Sequence, residues 1–268
     1  MVGAIGAYAV FTGGLLFCAF LSCIVFIASG EYFAMLHQEG LAEGRELAPP
    51  VWAVNVSRAF CAAVPFLTWA ATAPMKVALT VCAFSLLGVQ ILLQSKPRFS
   101  QFTSTLFGLF YCGYMPSFWV KLRAMADGSI GLPATLLTVL CIVAADTGAF
   151  LGGKALGRTQ LTHISPKKTV EGAIFGFLSA LAVALGCSSV TGWPGHRGAA
   201  LALGGLVFCA SLFGDLVESV LKRDAGVKDS GSVIPGHGGM LDRFDSYIFS
   251  GATVYLCTKQ ALFVLGLA

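Results

Sequence analysis

Charged side chains are scarce in this sequence. Asp, Glu, Lys and Arg make up 11% of its 268 residues, whereas a soluble domain carries about 25%. Hydrophobic residues make up 56%, and the mean hydropathy is +0.81. This composition excludes an ordinary soluble enzyme and is typical of a protein that lives in a lipid bilayer.

Cysteine motifs and a strong net charge are also missing. The nine cysteines lie in apolar stretches, without a CxxC pair or an accompanying histidine. They therefore indicate small buried apolar side chains rather than disulfides or zinc ligands. The net charge of +4 is too small to indicate nucleic-acid binding.

The apolar residues form blocks of bilayer length. The first block is too long, and too poorly flanked by basic residues, to be the core of a signal peptide. Eight candidate transmembrane helices cover residues 2–29, 59–73, 77–94, 102–120, 129–150, 173–190, 199–221 and 246–267. The predicted fold class is an all-α polytopic integral membrane protein with about eight transmembrane helices. Paired glycines, such as Gly13-Gly14 and Gly204-Gly205, predict close contacts between helices.

No loop is long enough to fold alone, so we expect one membrane domain over 1–268. Within it, residues 1–145 would form a lipid-facing or dimer-forming scaffold. Basic residues set the orientation, because 12 of the 17 Lys and Arg fall on one side of an eight-span topology. That side should face the cytoplasm or its organellar equivalent. It receives the segments 30–58, 95–101, 154–172 and 222–245.

Acidic residues concentrate at helix ends on that basic side. Asp146 ends one apolar span, and Asp215 follows another. Spacings of three and four residues place a polar set on one face of the seventh span: Ser211, Asp215, Glu218, Ser219 and Lys222. A second set begins the last span: Asp242, Arg243, Asp245 and Ser246. The sequence thus predicts a polar site at helix ends, facing the cytoplasm or stroma.

These residues also have a simpler interpretation as ordinary helix ends, where the helix dipole favours acids at the start and basic side chains reach the interface. This interpretation explains Asp245, Glu218 or Arg223 when each residue is considered alone. It explains Asp215 poorly, because the C-terminal half of a helix disfavours a carboxylate. A cation bridging Asp215 and Asp242 would remove that penalty, and carboxylate oxygens without His or Cys suit Mg²⁺.

Two loops combine basic residues with features that bind phosphate. Segment 222–243 holds four basic residues among five glycines, so its backbone N–H groups can approach phosphate oxygens. Segment 165–172 opens the sixth span, where phosphate would meet Lys167, Lys168 and a helix N-terminus. The positive-inside bias explains the two lysines equally well. His237 can be a turn residue, a donor to phosphate or a catalytic base.

Several of these segments resemble one family. Residues 219–223, Lys228-Asp229 and 235–245 resemble the C-terminal signature of CDP-diacylglycerol synthases (phosphatidate cytidylyltransferases). Segments 146–150 and 165–172 are similar to other shared segments of that family, which makes 146–250 the expected catalytic motif region. Segments 97–101 and 107–114 resemble its cyanobacterial and plastid branch. Family members usually have about nine spans, so we expect either that a first helix and targeting region are missing or that two spans are merged.

The resemblance implies transfer of CMP from CTP to phosphatidate, giving CDP-diacylglycerol and pyrophosphate for the synthesis of phosphatidylglycerol or phosphatidylinositol. It implies Mg²⁺ bound by Asp215 and Asp242, with Asp146 and Asp245 as further candidates for a second cation. The expected catalytic residues are Asp215, Lys222, Asp242, Arg243 and Asp245. The expected substrate-binding residues are Ser165, Lys167, Lys168, Ser219, Arg223, Lys228, Asp229, His237, Gly238 and Gly239.

The expected partners are CTP, phosphatidic acid and the lipid bilayer, without nucleic acid, and a homodimer is the candidate assembly. The expected location is a plastid membrane in a photosynthetic eukaryote and the plasma membrane in a bacterium. One alternative is a CTP-dependent lipid kinase, which releases CDP and needs a base for the hydroxyl proton. Another is an ion-coupled transporter, whose acids would lie near the bilayer midplane.

Overall fold

Helices account for every long element of the computed structural model. The structure describes residues 2–43, 48–70, 75–94, 96–194, 196–233, 236 and 238–264. His237, residues 71–73 of the predicted span 59–73 and residues 265–267 of the last predicted span lie outside that description. In the described ranges strands are absent, and the only β-type pairing is an isolated bridge between Gln160 and Thr169.

Ten α-helices form within those ranges. A π-helical turn, Leu109–Tyr114, joins the fifth to the sixth, and a 3₁₀ turn, Met125–Gly128, precedes the seventh. The helices are α1 (Val2–Thr12), α2 (Gly14–Glu43), α3 (Val51–Ala70), α4 (Met75–Leu93), α5 (Phe99–Gly108), α6 (Met115–Arg123), α7 (Gly131–Leu156), α8 (Val170–Thr191), α9 (Arg197–Asp224) and α10 (Leu241–Val264).

Six of these helices are long and apolar enough to cross a membrane: α2, α3, α4, α7, α8 and α9. In α4 and α8 only 17% of the apolar window is buried within the protein. Apolar helices with so little internal burial need lipid around them. The predicted all-α polytopic membrane fold is therefore confirmed. The predicted spans 102–120 and 246–267 coincide with the helical stretch 99–123 and with α10, and their crossing of the bilayer stays a prediction.

The predicted continuous helix over 2–29 is wrong. Gly13 and Gly14 have φ values of 67° and 55°, in the left-handed region that breaks a helix. The first described piece, α1, has 11 residues and ends at Thr12, and α2 begins at Gly14. A Cβ on Gly14 would meet nothing within 4 Å, so the close contact expected there is not seen at Gly14, whereas Gly13 is buried.

The chain divides into two compact units, which we describe separately. The first unit contains Met1–Lys121 and Val220–Phe244, and the second contains Leu122–Ser219 and Asp245–Ala268. These boundaries differ from the division expected near residue 145, while a single membrane domain stays a prediction.

In the first unit α2 packs along α3, and α3 packs on the π-helical turn. Gly113 permits this approach, because a Cβ there would lie 3.1 Å from the Cys61 Cα.

In the second unit, α7 and α8 pack through small residues. A Cβ on Gly172 would lie 2.8 Å from the Ala149 carbonyl oxygen, and one on Gly176 would lie 2.7 Å from that of Ala145. Small residues four apart let membrane helices approach closely. The contact expected at Gly204 is confirmed in the same way, since a Cβ there would lie 2.8 Å from the Ala184 Cβ.

Candidate functional site

Three carboxylates meet in the second unit. Asp215 and Glu218 belong to α9, and Asp245 is the fifth residue of α10. One oxygen from each lies within 4.8 Å of the other two. Glu218 is fully buried, Asp245 is nearly so, and the Asp215 side chain is 31% exposed. We name these three residues the carboxylate cluster.

The carboxylate cluster suits a hard divalent cation. Its donors are all carboxylate oxygens, the ligand type that Mg²⁺ prefers, without a soft sulfur or an imidazole. Like charges at this spacing repel one another and need protons or a cation to balance them. The partly exposed Asp215 leaves one side of the cluster open to a charged ligand. The residues present therefore fit a magnesium site.

A glycine makes the carboxylate cluster possible. A Cβ on Gly214 would overlap the Asp245 carbonyl oxygen and lie 3.1 Å from its carbonyl carbon. Only a residue without a side chain lets this turn of α9 approach the Asp245 backbone so closely. The Asp245 carboxylate is itself oriented, because its Oδ1 accepts a hydrogen bond of 2.6 Å from the Ser246 N–H.

A basic side chain from another segment reaches the carboxylate cluster. The Lys168 ammonium forms an ion pair with the Asp215 carboxylate. Both side chains are partly buried, with 23% of Lys168 and 31% of Asp215 exposed. Lys168 belongs to a short hairpin, in which Leu161 N–H donates to the Lys168 carbonyl at 2.8 Å. The hairpin places one of the two predicted phosphate-binding lysines at the edge of the cluster, while Lys167 is exposed.

The hairpin is fixed to the start of α8 by two side chains. The Glu171 carboxylate accepts hydrogen bonds from the backbone N–H groups of Arg158 and Thr159, at 3.1 and 3.2 Å. The Thr169 hydroxyl accepts from the Gly172 N–H at 3.1 Å and caps the helix. The local sequence of acid and hydroxyl at the helix start thus holds the loop that carries Lys168.

Asp242, predicted as a magnesium ligand, organises a loop of the first unit. Its Oδ2 accepts from the N–H groups of Ser230 and Gly239, at 2.9 and 2.7 Å. Its Oδ1 accepts from the Lys222 ammonium at 2.7 Å, and the two side chains are 9% and 15% exposed. Asp242 therefore fixes the ammonium of a predicted triphosphate-binding lysine.

Glu31 on α2 holds the same loop. Its Oε1 accepts from the Met240 N–H at 2.9 Å, and its Oε2 accepts from the Leu241 N–H at 2.7 Å. The Ser230 hydroxyl lies 3.0 Å from Glu31 Oε2. Leu241 begins α10 and Met240 directly precedes it, so Glu31 places a negative charge at the start of that helix. Glu31 is 7% exposed.

The structure brings together some of the predicted residues. Asp215 lies with Asp245, and Lys222 lies with Asp242. Asp215 and Asp242 belong to different compact units, so a cation that both would bind stays a prediction. Sequence reasoning placed Glu218 on the polar face but missed it as a third member of the carboxylate cluster.

Sequence reasoning missed Glu31 completely. Its partners lie about 200 positions further along the chain, which no local spacing can indicate. One signal was available, because Glu31 is the first charged side chain after 30 residues without one. An isolated acid at the end of an apolar span is costly unless it has partners.

The other predicted residues differ in their exposure to solvent. Ser219 is buried and Ser165 is half-buried. Gly238 has a φ of 82°, and a Cβ there would lie 2.8 Å from Asp242 Oδ2. The exposed members are Asp146, Arg223, Lys228, Asp229 and Arg243.

Comparisons with known proteins identify the family of this chain. The model of the cytidylyltransferase family matches residues 1–260. Phosphatidate cytidylyltransferase 4, chloroplastic, of Arabidopsis thaliana is 45% identical over 96% of this chain and 71% of its own length. Phosphatidate cytidylyltransferase 5, chloroplastic, of the same plant is 44% identical over 92% of this chain and 66% of its own length. The phosphatidate cytidylyltransferase of Synechocystis is 39% identical over 94% of this chain and 92% of its own length. This chain belongs to the cytidylyltransferase family.

Proposed function

We propose that this protein transfers CMP from CTP to phosphatidate, giving CDP-diacylglycerol and pyrophosphate. The observation that carries the proposal is the match, over 94–96% of the chain, to relatives named phosphatidate cytidylyltransferase. The polar residues support it, because they combine a carboxylate cluster with fixed and exposed cations. Such a set suits substrates that carry several phosphates.

The reaction needs no nucleophile from the protein. A phosphate oxygen of phosphatidate, already anionic at neutral pH, attacks the α-phosphorus of CTP. A new bond forms between that oxygen and the α-phosphorus, and the bond from the α-phosphorus to the bridging oxygen breaks. The electron pair leaves with pyrophosphate. The task of the protein is to align the two phosphates and to neutralise their charge.

The carboxylate cluster is the place we propose for the metal. Asp215, Glu218 and Asp245 would hold Mg²⁺, while Asp146 and Asp242 stay alternative ligands. When bound, Mg²⁺ supplies positive charge and a template for phosphate oxygens. The buried Glu218 and Asp245 keep their carboxylates oriented, and the more exposed Asp215 lies beside the Lys168 ammonium.

The basic residues divide between fixed and exposed groups. Lys222 is held by Asp242 and is suited to meet a triphosphate oxygen in one defined position. Lys168 is suited to the same anion from the hairpin, and the exposed Lys167 to either the triphosphate or the lipid headgroup. Three further exposed side chains would hold the departing pyrophosphate: Arg223, Lys228 and Arg243.

The relatives support a proposal for the membrane in which the reaction takes place. Two of them are named chloroplastic and one is cyanobacterial. We therefore propose a plastid membrane if the source is a photosynthetic eukaryote and the plasma membrane if it is a bacterium. The product would feed phosphatidylglycerol or phosphatidylinositol synthesis, and a homodimer stays the candidate assembly.

The test is an assay of detergent-purified protein with CTP, phosphatidate and Mg²⁺, following pyrophosphate release and the mass of the lipid product. We expect CDP-diacylglycerol from the wild type and at least about a hundredfold lower turnover from Asp215→Asn, since a metal ligand is worth several kcal/mol of transition-state stabilisation. The matched control is Asp224→Asn, the same change at an exposed position of the same helix, which should keep wild-type turnover.

Two results would contradict the proposal. Release of CDP together with a phosphorylated lipid alcohol would identify a lipid kinase. Wild-type turnover by Asp215→Asn would remove the carboxylate cluster from the mechanism.

A further inference from the structure

Glu31 anchors the loop between α9 and α10, which lies about 200 positions further along the chain. Its two oxygens accept hydrogen bonds from the first two N–H groups at the start of α10 and lie within 3.0 Å of the Ser230 hydroxyl. Hydrogen bonds to a buried carboxylate are among the stronger ones in proteins. The position of this loop therefore depends on Glu31 of α2 as well as on Asp242.

Two glycines close around that side chain. A Cβ on Gly231 would lie 2.6 Å from Glu31 Oε1, and one on Gly239 would lie 2.5 Å from Glu31 Oε2. Both separations are too short for a real side chain. The loop thus lies against the carboxylate on two sides, and a larger residue at either position would have to displace it.

The contacts continue from Glu31 to a predicted substrate-binding lysine. The Ser230 hydroxyl lies 3.0 Å from Glu31 Oε2 and 3.0 Å from Asp242 Oδ2, and can donate its single hydrogen to either. The Asp242 carboxylate also accepts from the Ser230 N–H at 2.9 Å and from the Lys222 ammonium at 2.7 Å. Glu31, Ser230, Asp242 and Lys222 form a continuous chain of hydrogen bonds.

We propose that Glu31 is a positioning residue, which acts through Ser230 and Asp242 to hold the Lys222 ammonium where a nucleotide triphosphate binds. This inference rests on the proposed function, because it takes CTP as the ligand of Lys222. Glu31 touches neither substrate nor reacting atoms in this role. It sets the geometry of the loop and thereby the affinity for CTP.

The test substitution is Glu31→Gln, which keeps the size of the side chain. In either orientation the amide nitrogen faces at least one backbone N–H, because Glu31 Oε1 accepts from Met240 and Oε2 from Leu241. The substitution therefore removes at least one hydrogen bond to a charged acceptor. Because the N–H group concerned loses that protection, we expect hydrogen exchange at Met240 or Leu241 to become about tenfold faster or more. The KM and the Kd for CTP should rise by about tenfold, with kcat changed much less.

A double substitution separates positioning from general stability. If Glu31 acts through Lys222, Glu31→Gln should raise the KM for CTP strongly in the wild type and only slightly in Lys222→Met, because coupled residues are not additive. Glu39→Gln, which removes the same charge from the same helix, is the matched control and should leave KM and exchange at Met240 unchanged.

The outcomes are distinct. Unchanged exchange at Met240 and Leu241, or equal increases in KM in both backgrounds, would overturn the positioning role. If the wild type makes no CDP-diacylglycerol, the proposed function fails. The positioning role is then judged from the Kd for CTP and the exchange data, and a wild-type Kd in Glu31→Gln would overturn it.

Discussion

Substituting Gly214 by alanine should damage the carboxylate cluster without touching a charged group. The new Cβ would overlap the Asp245 carbonyl oxygen and lie 3.1 Å from its carbonyl carbon. Non-bonded carbon atoms keep about 3.5–4.0 Å. The backbones that meet at this point must therefore separate by about half an ångström to 1 Å, which moves Asp245 relative to Asp215 and Glu218.

The expected size of the effect follows from that displacement. Overpacking a tight contact costs about 1–3 kcal/mol of folding free energy, which purified protein should report as a lower melting temperature. A displacement of about 1 Å in a catalytic site can cost about a hundredfold in rate. We expect Gly214→Ala to lower kcat for pyrophosphate release much more than it lowers the yield of folded protein.

The matched control is Gly205→Ala on the same helix. There the nearest atom to a new Cβ, the Phe177 Cε2, lies at an ordinary 3.4 Å. Alanine is favoured over glycine inside a helix by about 0.8–1 kcal/mol, so this variant should be at least as stable as the wild type and fully active. Wild-type kcat and melting temperature in Gly214→Ala would refute the reasoning that this glycine assembles the cluster.

Two further predictions concern the second unit. Glu171→Gln should loosen the hairpin that carries Lys168, because the Arg158 and Thr159 N–H groups would lose their charged acceptor and hydrogen bonds to charged groups are the stronger ones. Limited proteolysis between residues 158 and 168 should become faster, and an unchanged cleavage rate would contradict this. Gly176→Ala should destabilise the packing of α7 on α8 by about 1–3 kcal/mol, since its Cβ would lie 2.7 Å from the Ala145 carbonyl oxygen. Gly186→Ala, where a Cβ meets nothing within 4 Å, serves as the control, and equal melting temperatures for the two variants would show the packing argument to be mistaken.

Hydropathy predicted most of the fold because lipid imposes one simple rule, that a spanning segment must be long, apolar and helical. That rule recovers α3, α4, α7, α8 and α9 from their lengths and compositions alone. It fails at residues 2–29, where the apolar run is continuous but the backbone turns at Gly13 and Gly14. Composition does not distinguish a glycine that packs from one that breaks a helix.

The candidate site was predicted only where its members share a helix or a short segment. The spacing of Asp215 and Glu218, and the acids at the start of α10, are visible in the sequence. Which of those acids meet depends on tertiary packing, such as the approach allowed by Gly214. Glu31 shows the limit most clearly, because its function as an anchor arises from contacts with residues about 200 positions away.

The central claim is that the carboxylate cluster supports CMP transfer. The most direct measurement is the rate of CDP-diacylglycerol formation, identified by mass, as a function of Mg²⁺ concentration in wild type and Glu218→Gln. We expect product from the wild type. In the variant we expect an Mg²⁺ midpoint at least about tenfold higher or a comparable loss of rate, because a buried carboxylate of the cluster has become neutral. Superimposable Mg²⁺ curves, or a wild type that releases CDP instead of pyrophosphate, would contradict it.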